Sequence, residues 1–360
     1  MARPNQALID LDALRHNAGH VRRLAPRSKV MAAVKADAYG HGAVAVSQAL
    51  QPLVDAFAVA SLDEALSLRS AGISQPILLL EGVFTKAELV EAERADLWVT
   101  VTAHHQLDWI EAHSPARPLT CWLKVNTGMN RLGVPPAEVE ALLARLQACP
   151  GVSEDIVLYT HFASADNLDS SATQEQAALF EQLLPGMPRS AANSAAVIAW
   201  PDTHHDWVRP GYMLYGNSPM QVPHDNAADL RPVMTLASEV IQLRDVTRGD
   251  AVGYGGTWVA TAPARIATVA IGYGDGYPRH APNGTPVLVD GQRARLAGRV
   301  SMDMITVDVT GLDGVQVGSR VTLWGPGLPV DEVARSAGTI GYELTTGMPA
   351  RTPRVLLHAQ

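Results

Sequence analysis

Val30-Met31-Ala32-Ala33-Val34-Lys35-Ala36-Asp37-Ala38-Tyr39-Gly40-His41-Gly42 is the stretch on which the reading of this chain turns. A short apolar run delivers one lysine to its end, and a turn of tyrosine, glycines and histidine follows. That arrangement puts an amine at the mouth of a fold, with residues of low polarity behind it. Burial disfavours the charged form of a lysine and lowers its pKa, and a neutral amine is what Schiff-base chemistry needs. The plain alternative is a strand-end lysine whose stem lies on apolar surface while its head reaches water. The rest of the chain decides between them.

Working outward from this run, short apolar segments alternate with longer amphipathic ones. Candidate strands are 30–35, 56–60, 76–81, 97–101, 119–125, 156–161, 189–193 and 207–209, with helical patterns such as 62–71, 86–94, 137–148 and 172–184 between them. Eight strand–helix repeats within roughly 200 residues predict an α/β fold of the (β/α)₈ TIM-barrel type. A doubly wound sheet is the other candidate, but no dinucleotide fingerprint follows the first strand. Barrel active sites sit at the carboxyl ends of the strands, so polar chemistry should cluster there. Lys35 and Tyr39 follow the first strand, Arg131 the fifth, Asn193 and Ser194 the seventh, and Arg209-Pro210-Gly211 the eighth, while His161 ends the sixth.

Beyond residue 232 the texture changes. Eighteen of the 29 glycines fall there, and period-2 runs replace helical ones at 266–271, 287–289, 305–309 and 321–324. Val287–Ala294 reads as a hairpin closed by a type I′ Asp290-Gly291 turn. The expected organisation is a barrel over 10–232 and a mostly β domain over 233–360, the latter joined by an N-terminal strand within 1–10.

The gross numbers narrow the function. At 360 residues and 47% hydrophobic, the chain can bury a sizeable core across two domains. A net charge of -8 disfavours nucleic-acid or anionic-membrane partners, although a local basic pocket remains compatible with a small anion. Cys121 and Cys149 form neither a disulfide framework nor a metal motif and read as free thiols in a reducing compartment. The N-terminus has no secretory h-region and no window reaches membrane-spanning length, so the expected location is cytoplasmic. His104-His105 and His204-His205 are adjacent pairs without an i, i+4 partner; no metal is expected, and both pairs are read as solvated.

The residues also carry a family resemblance. Ala33–Gly42 closely resembles the pyridoxal 5′-phosphate (PLP) attachment segment of alanine racemases, and matching segments recur to residue 354. The resemblance implies Lys35 as the PLP-bearing lysine and places Tyr39, Ser194, Gly211, Tyr212 and Tyr342 at the cofactor phosphate, with Asn193 beside them. Many relatives have an isoleucine where Tyr212 stands, but the implied contact is through the backbone. The segment Trp207–Gly216 implies Arg209 against the pyridine nitrogen. An arginine there leaves that nitrogen unprotonated and weakens the ring as an electron sink, which suits a racemase and disfavours decarboxylation.

Racemisation needs two proton-transfer groups on opposite faces of the substrate. The segment Val252–Trp258 resembles the one carrying the family's catalytic tyrosine, which implies Tyr254 opposite Lys35, acting on the neighbouring subunit's cofactor. A free tyrosine, with a pKa near 10, is a poor base near neutrality unless a cation lowers it. His161 matches the histidine that links this tyrosine to the arginine under the ring. Arg131 and Met302 match positions near the substrate carboxylate, and Lys124 a position often carbamylated. Tyr342 with Tyr254, and further out Asp166, Tyr273, Arg279 and Arg299, match the access channel. The implied activity is interconversion of L- and D-alanine by a homodimer, serving D-alanine supply for peptidoglycan or alanine catabolism. A broad-specificity racemase and a non-catalytic PLP-homeostasis barrel are the alternatives, the latter resembling the barrel part alone.

Overall fold

A computed structural model of the chain describes residues 3–357. The outermost positions of the expected domain bounds, 1–2 and 358–360, lie outside the described residues. Contacts divide the chain into two compact units. One comprises Arg15–Ala38 and Ala43–Leu230. The other comprises the residues up to Leu14, Tyr39–Gly42 and those from Arg231 onward.

The first unit is a closed barrel of eight parallel strands: Lys29–Ala33, Ala56–Val59, Ile77–Leu79, Trp98–Val101, Cys121–Lys124, Val157–Tyr159, Arg189–Ser190 and Trp207–Val208. Val30 pairs with Val208 to close the ring. Every expected strand is present but shorter than the apolar run that announced it. Lys35, His161, Asn193 and Arg209 therefore stand just past the last paired residues, where the backbone is free to turn them toward the mouth. The interior follows volume complementarity: Ala56 and Ala58 make room for Trp122, Trp207 and Tyr159. Trp122 lies 5.7 Å from Tyr159 and 5.6 Å from Trp207, ring centre to ring centre.

Helices follow their sequence signals. Leu62–Ser70 opens on a Ser61/Glu64 capping box, and Lys86–Arg94 on a Thr85 cap. The expected 137–148 helix starts as a 3₁₀ turn, Pro136–Glu138, before continuing as Val139–Ala148. One expectation fails. His204 is buried, not solvated, with Nε2 3.1 Å from the Val197 carbonyl and 3.3 Å from that of Ala196. It reaches the Val197 carbonyl, which Pro201 cannot serve, and that of Ala196, which already accepts the Trp200 N–H at the end of helix Ser194–Ala199. His104 stays exposed, 2.8 Å from a Glu138 carboxylate oxygen.

In the second unit the long strand Met234–Val246 pairs with Arg320–Trp324 along its first half and with Ala264–Val269 along its second. Ile305–Asp308, Gln292–Leu296 and Pro286–Val289 fill the order between those two, so the pairing returns to its starting strand. A register shift between Val240 and Gln242 lets the long strand bend from one neighbour to the other. Gln6–Asp10 adds antiparallel to Met234–Val246 and parallel to Arg354–Leu357. Asp290 and Gly291 have φ of 47° and 78°, the positive pair a type I′ turn demands. No described helix is long and apolar enough to cross a membrane.

Candidate active site

Directly after the first barrel strand the backbone does something no composition rule announces. Lys35–Gly40 is a helical turn, and it is left-handed: Ala36, Asp37, Ala38 and Tyr39 have φ between 52° and 53°, and Gly40 80°. For residues with a Cβ this costs about 1–2 kcal/mol each. Neighbours hold the turn in place. Glu64 accepts the Ala36 N–H at 2.6 Å and the Ala60 N–H at 2.8 Å, and Asp37 accepts the Ala43 N–H at 2.8 Å. Within the second unit, Arg354 Nε donates to the Gly40 carbonyl at 3.1 Å.

At the mouth of the barrel the basic residues act on one another. Burial lowers the Lys35 pKa; Glu81 opposes that, Arg131 reinforces it and Glu64 opposes it again. Lys124, buried, is brought down to about 8 by burial first, then by Arg209 and Arg131, against Glu81. His161 is pushed well below the ordinary imidazole value by burial and by Arg209, Lys124, Arg131 and Lys35, and is neutral at neutral pH. Lys124, Arg131 and His161 line one crevice with Thr127 and Thr160. A chain of net charge -8 thus carries a local concentration of positive charge at its barrel mouth.

Arg209 is buried beneath this group. Its Nη1 donates to Ser190 Oγ at 2.5 Å, and its Nη2 to the Thr160 carbonyl at 2.6 Å and the Ala191 carbonyl at 3.3 Å. Burial lowers its pKa to about 10, with Tyr159 opposing, which leaves it charged at neutrality. Asn193 caps helix Ser194–Ala199 through the Ala196 N–H at 3.1 Å, but Ser194 serves elsewhere. Its hydroxyl oxygen accepts the N–H groups of Gly211 at 2.9 Å and Met213 at 3.3 Å, tying the loop after the eighth strand to the helix after the seventh. Tyr212 is buried at the start of a 3₁₀ turn, and Asp166 accepts from Gln221 Nε2 at 3.0 Å.

In the second unit, Tyr39 and Tyr342 lie with ring centres 6.0 Å apart, and burial raises the Tyr39 hydroxyl to about 12, so it stays protonated. Tyr254 sits in the connection of hairpin Ala251–Val252/Trp258–Val259 and is 70% exposed. A Cβ built on Gly253 would lie 3.4 Å from the Arg299 backbone nitrogen, so these loops adjoin. Tyr273 N–H donates to the Ser301 carbonyl at 3.0 Å, and Gly274 N–H to that of Met302 at 2.9 Å. Tyr254, Arg299, Met302 and Tyr273 therefore share one group of loops, with Met302 52% exposed. Arg279 is exposed and makes no hydrogen bond or ion pair among the described residues.

Four participants were not anticipated: Glu64, Glu81, Tyr159 and Ser190. Only Glu64 had a legible signal, the Ser61-x-x-Glu64 capping pattern, and that pattern points to a helix start, not to the turn it also holds.

Two lysines, two arginines and a histidine gathered at the carboxyl ends of parallel barrel strands define a barrel enzyme with its chemistry at that face. Residues 9–219 match the alanine racemase N-terminal domain and residues 233–356 the alanine racemase C-terminal domain. The chain is 53% identical over 362 residues to an alanine racemase of Chromohalobacter salexigens, all of both chains being covered. It is 54% identical over 344 residues to one of an Azoarcus species, covering 95% of this chain and 96% of that protein. Among solved structures, the biosynthetic alanine racemase from Pseudomonas aeruginosa superposes with a TM-score of 0.96 at 49% identity, covering 99% and 100% of the two chains. That from Acinetobacter baumannii gives 0.91 at 40%, with the same coverage. The chain belongs to the alanine racemase family, whose members are PLP-dependent isomerases.

The residues present fit that cofactor. Two donors on buried residues meet no acceptor among the described residues: the Arg209 Nε–H, whose terminal nitrogens are already committed, and the Ser194 hydroxyl hydrogen, whose oxygen already accepts twice. A ring nitrogen and a phosphate oxygen are the acceptors they lack.

Proposed function

We propose that Lys35 and Tyr254 are the two proton-transfer groups with which this member of the family interconverts L- and D-alanine. PLP, when bound, draws electron density from the substrate Cα and makes its hydrogen removable. Lys35 is the attachment point, and its burial-lowered pKa increases the neutral fraction able to take a proton from one face. Tyr254 serves the other face. The observation that carries this reading is the cluster of Lys35, Lys124, Arg131, His161 and Arg209, in which Arg131 lowers the pKa of both lysines and all four cationic residues lower that of His161.

Arg209 gives its remaining Nε–H to the pyridine nitrogen. Ser194, Gly211, Tyr212, Tyr39 and Tyr342 hold the phosphate, with Asn193 fixing the helix that presents Ser194. Arg131 and Met302 flank the substrate carboxylate. His161, neutral for the reasons above, is a relay rather than a cation. Lys124 is carbamylated, and the pKa of about 8 leaves a sizeable neutral fraction for reaction with carbon dioxide.

The exposure of Tyr254 and Met302 supports a homodimer in which each β domain completes the partner subunit's site. Tyr254 and Tyr342 form the inner gate of the access channel, and Asp166, Tyr273, Arg279 and Arg299 its outer ring. The domains run 10–232 and 233–360, the second with the strand within 1–10. The enzyme works in the cytoplasm, in D-alanine supply or in alanine catabolism. An equilibrium constant of one between enantiomers leaves the direction to the cell.

The test is a chiral, mass-resolved assay in D₂O with L-alanine, L-serine, L-arginine and L-lysine. Deuterated D-alanine should form far faster than the other D-isomers. Tyr254→Phe should collapse the rate in both directions, and near-unchanged rates would sink the two-base reading.

A further inference from the structure

Tyr159 ends the sixth barrel strand, fully buried, and has no role in the reading above. Its ring centre lies 5.0 Å from Arg209 Cζ and 5.3 Å from Lys124 Nζ, so the ring borders both side chains. Its hydroxyl donates to the Leu80 carbonyl at 2.7 Å and lies 3.1 Å from Thr100 Oγ1. A phenol has one hydrogen. With that committed to Leu80, Thr100 must be the donor to Tyr159. The ring is thus held at its far end by the third and fourth strands' side of the barrel, and stacked edge-on against Trp122 behind.

Around Arg209 the accounting is equally tight. Ser190, Thr160 and Ala191 take hydrogens from the two terminal nitrogens, and Ser190 is itself oriented by donating to the Trp207 carbonyl at 2.7 Å. None of the three acceptors is an anion, so these hydrogen bonds bring no carboxylate to offset the guanidinium's loss of water. The electron-rich ring, 5.0 Å from Cζ, adds direct stabilisation of its charge.

We propose that Tyr159 is the positioning residue of the cofactor arginine: its pinned ring seats the charged Arg209 guanidinium so that Nε–H is the donor left for the cofactor. The inference rests on the reading of Arg209 as the pyridine nitrogen's partner. Tyr159 acts through Arg209 and touches no reacting atom.

The test replaces Tyr159 by phenylalanine and by phenylalanines carrying one to three ring fluorines, which drain the ring's negative face at nearly constant volume. PLP affinity is titrated on the cofactor-free protein, and the pH dependence of the cofactor's visible absorption is recorded on the loaded one. Affinity should fall stepwise from phenylalanine onward, by about tenfold over the series, with the absorption midpoint moving in step. In an Arg209→Leu background the trend should vanish. A flat series, with Arg209→Leu still lowering affinity, overturns the role of Tyr159 alone. A trend that persists without Arg209 also overturns it, since the ring then acts through another group. If Arg209→Leu leaves both affinity and absorption unchanged, the reading of Arg209 falls and takes this inference with it.

Discussion

Gly40→Ala should be far more damaging than the same change two residues later. At Gly40, φ is +80° and an added Cβ would lie 1.9 Å from the Thr345 carbonyl oxygen and 2.9 Å from its carbon. Both are backbone atoms of helix Gly341–Thr346, so no rotamer can give way. Reaching ordinary van der Waals separation requires a shift of about 1.5 Å, at a cost of about 1–3 kcal/mol for forced repacking. The left-handed backbone adds about 1–2 kcal/mol once a Cβ is present. At Gly42, φ is +98° and nothing lies within 4 Å of the added atom, so only the backbone cost applies. The pair therefore separates clash from conformation: Gly42→Ala should lose about 1–2 kcal/mol and Gly40→Ala about 2–5 kcal/mol. Urea unfolding of the cofactor-free variants reads this as midpoints moved at constant slope. The shift should also move the helix carrying Tyr342 relative to Tyr39, and so weaken PLP binding in Gly40→Ala only. Equal midpoints for the two variants would refute the reasoning.

Glu64→Gln can offer one oxygen, not two, to the Ala36 and Ala60 N–H groups; a loss of about 1–3 kcal/mol is expected by chemical denaturation. Because the Glu64 charge raises the Lys35 pKa, the variant's pH midpoint for cofactor attachment should move down; an upward shift would contradict the assignment. Asp275 is fully buried and accepts from Arg3 and Arg351 at 2.9 Å each and from the Gly272 N–H at 2.9 Å. Asp275→Asn should cost about 2–3 kcal/mol, the arginines being partly exposed and screened, and a melting temperature within error of wild type would count against it. Lys124 has a folded pKa near 8 against an ordinary 10.5, so between those values the unfolded chain binds more protons and stability rises with pH. In carbon-dioxide-free buffer that rise should be on the order of 3 kcal/mol, and Lys124→Met should flatten it.

The barrel was legible because its signal repeats. Eight apolar runs at regular spacing are redundant, and trimming each by a few residues leaves the count intact. Helix starts were legible where a side chain announces them, as Ser61 and Thr85 do. The long strand Met234–Val246 was not, because its exposed second half carries Gln242, Arg244 and Asp245 and reads as polar linker until Ala264–Val269 is seen to pair with it. His204 was misjudged for a related reason: its partners are carbonyls, which have no letter in the sequence. The same blindness hid Ser190 and Tyr159, whose significance lies in what Arg209 lacks rather than in any motif of their own.

The left-handed turn after Lys35 shows most clearly why the motif is so long. Four consecutive non-glycine residues in that conformation together cost about 4–8 kcal/mol, comparable to the whole stability of many domains. Such a turn persists only if its surroundings over-determine it. Glu64, Asp37 and the Arg354 bond to Gly40 are that surrounding, drawn from positions as distant as residue 354. What the strain obtains is direction: Tyr39 leaves the turn with its ring centre 6.0 Å from that of Tyr342, within the second unit. A right-handed turn of the same length would present Tyr39 on a different side of the backbone and away from Tyr342. The preference for glycine at 40 and 42, where φ is 80° and 98°, is therefore a preference set by handedness. It is this local geometry, more than the barrel beneath it, that makes the run Ala33–Gly42 specific.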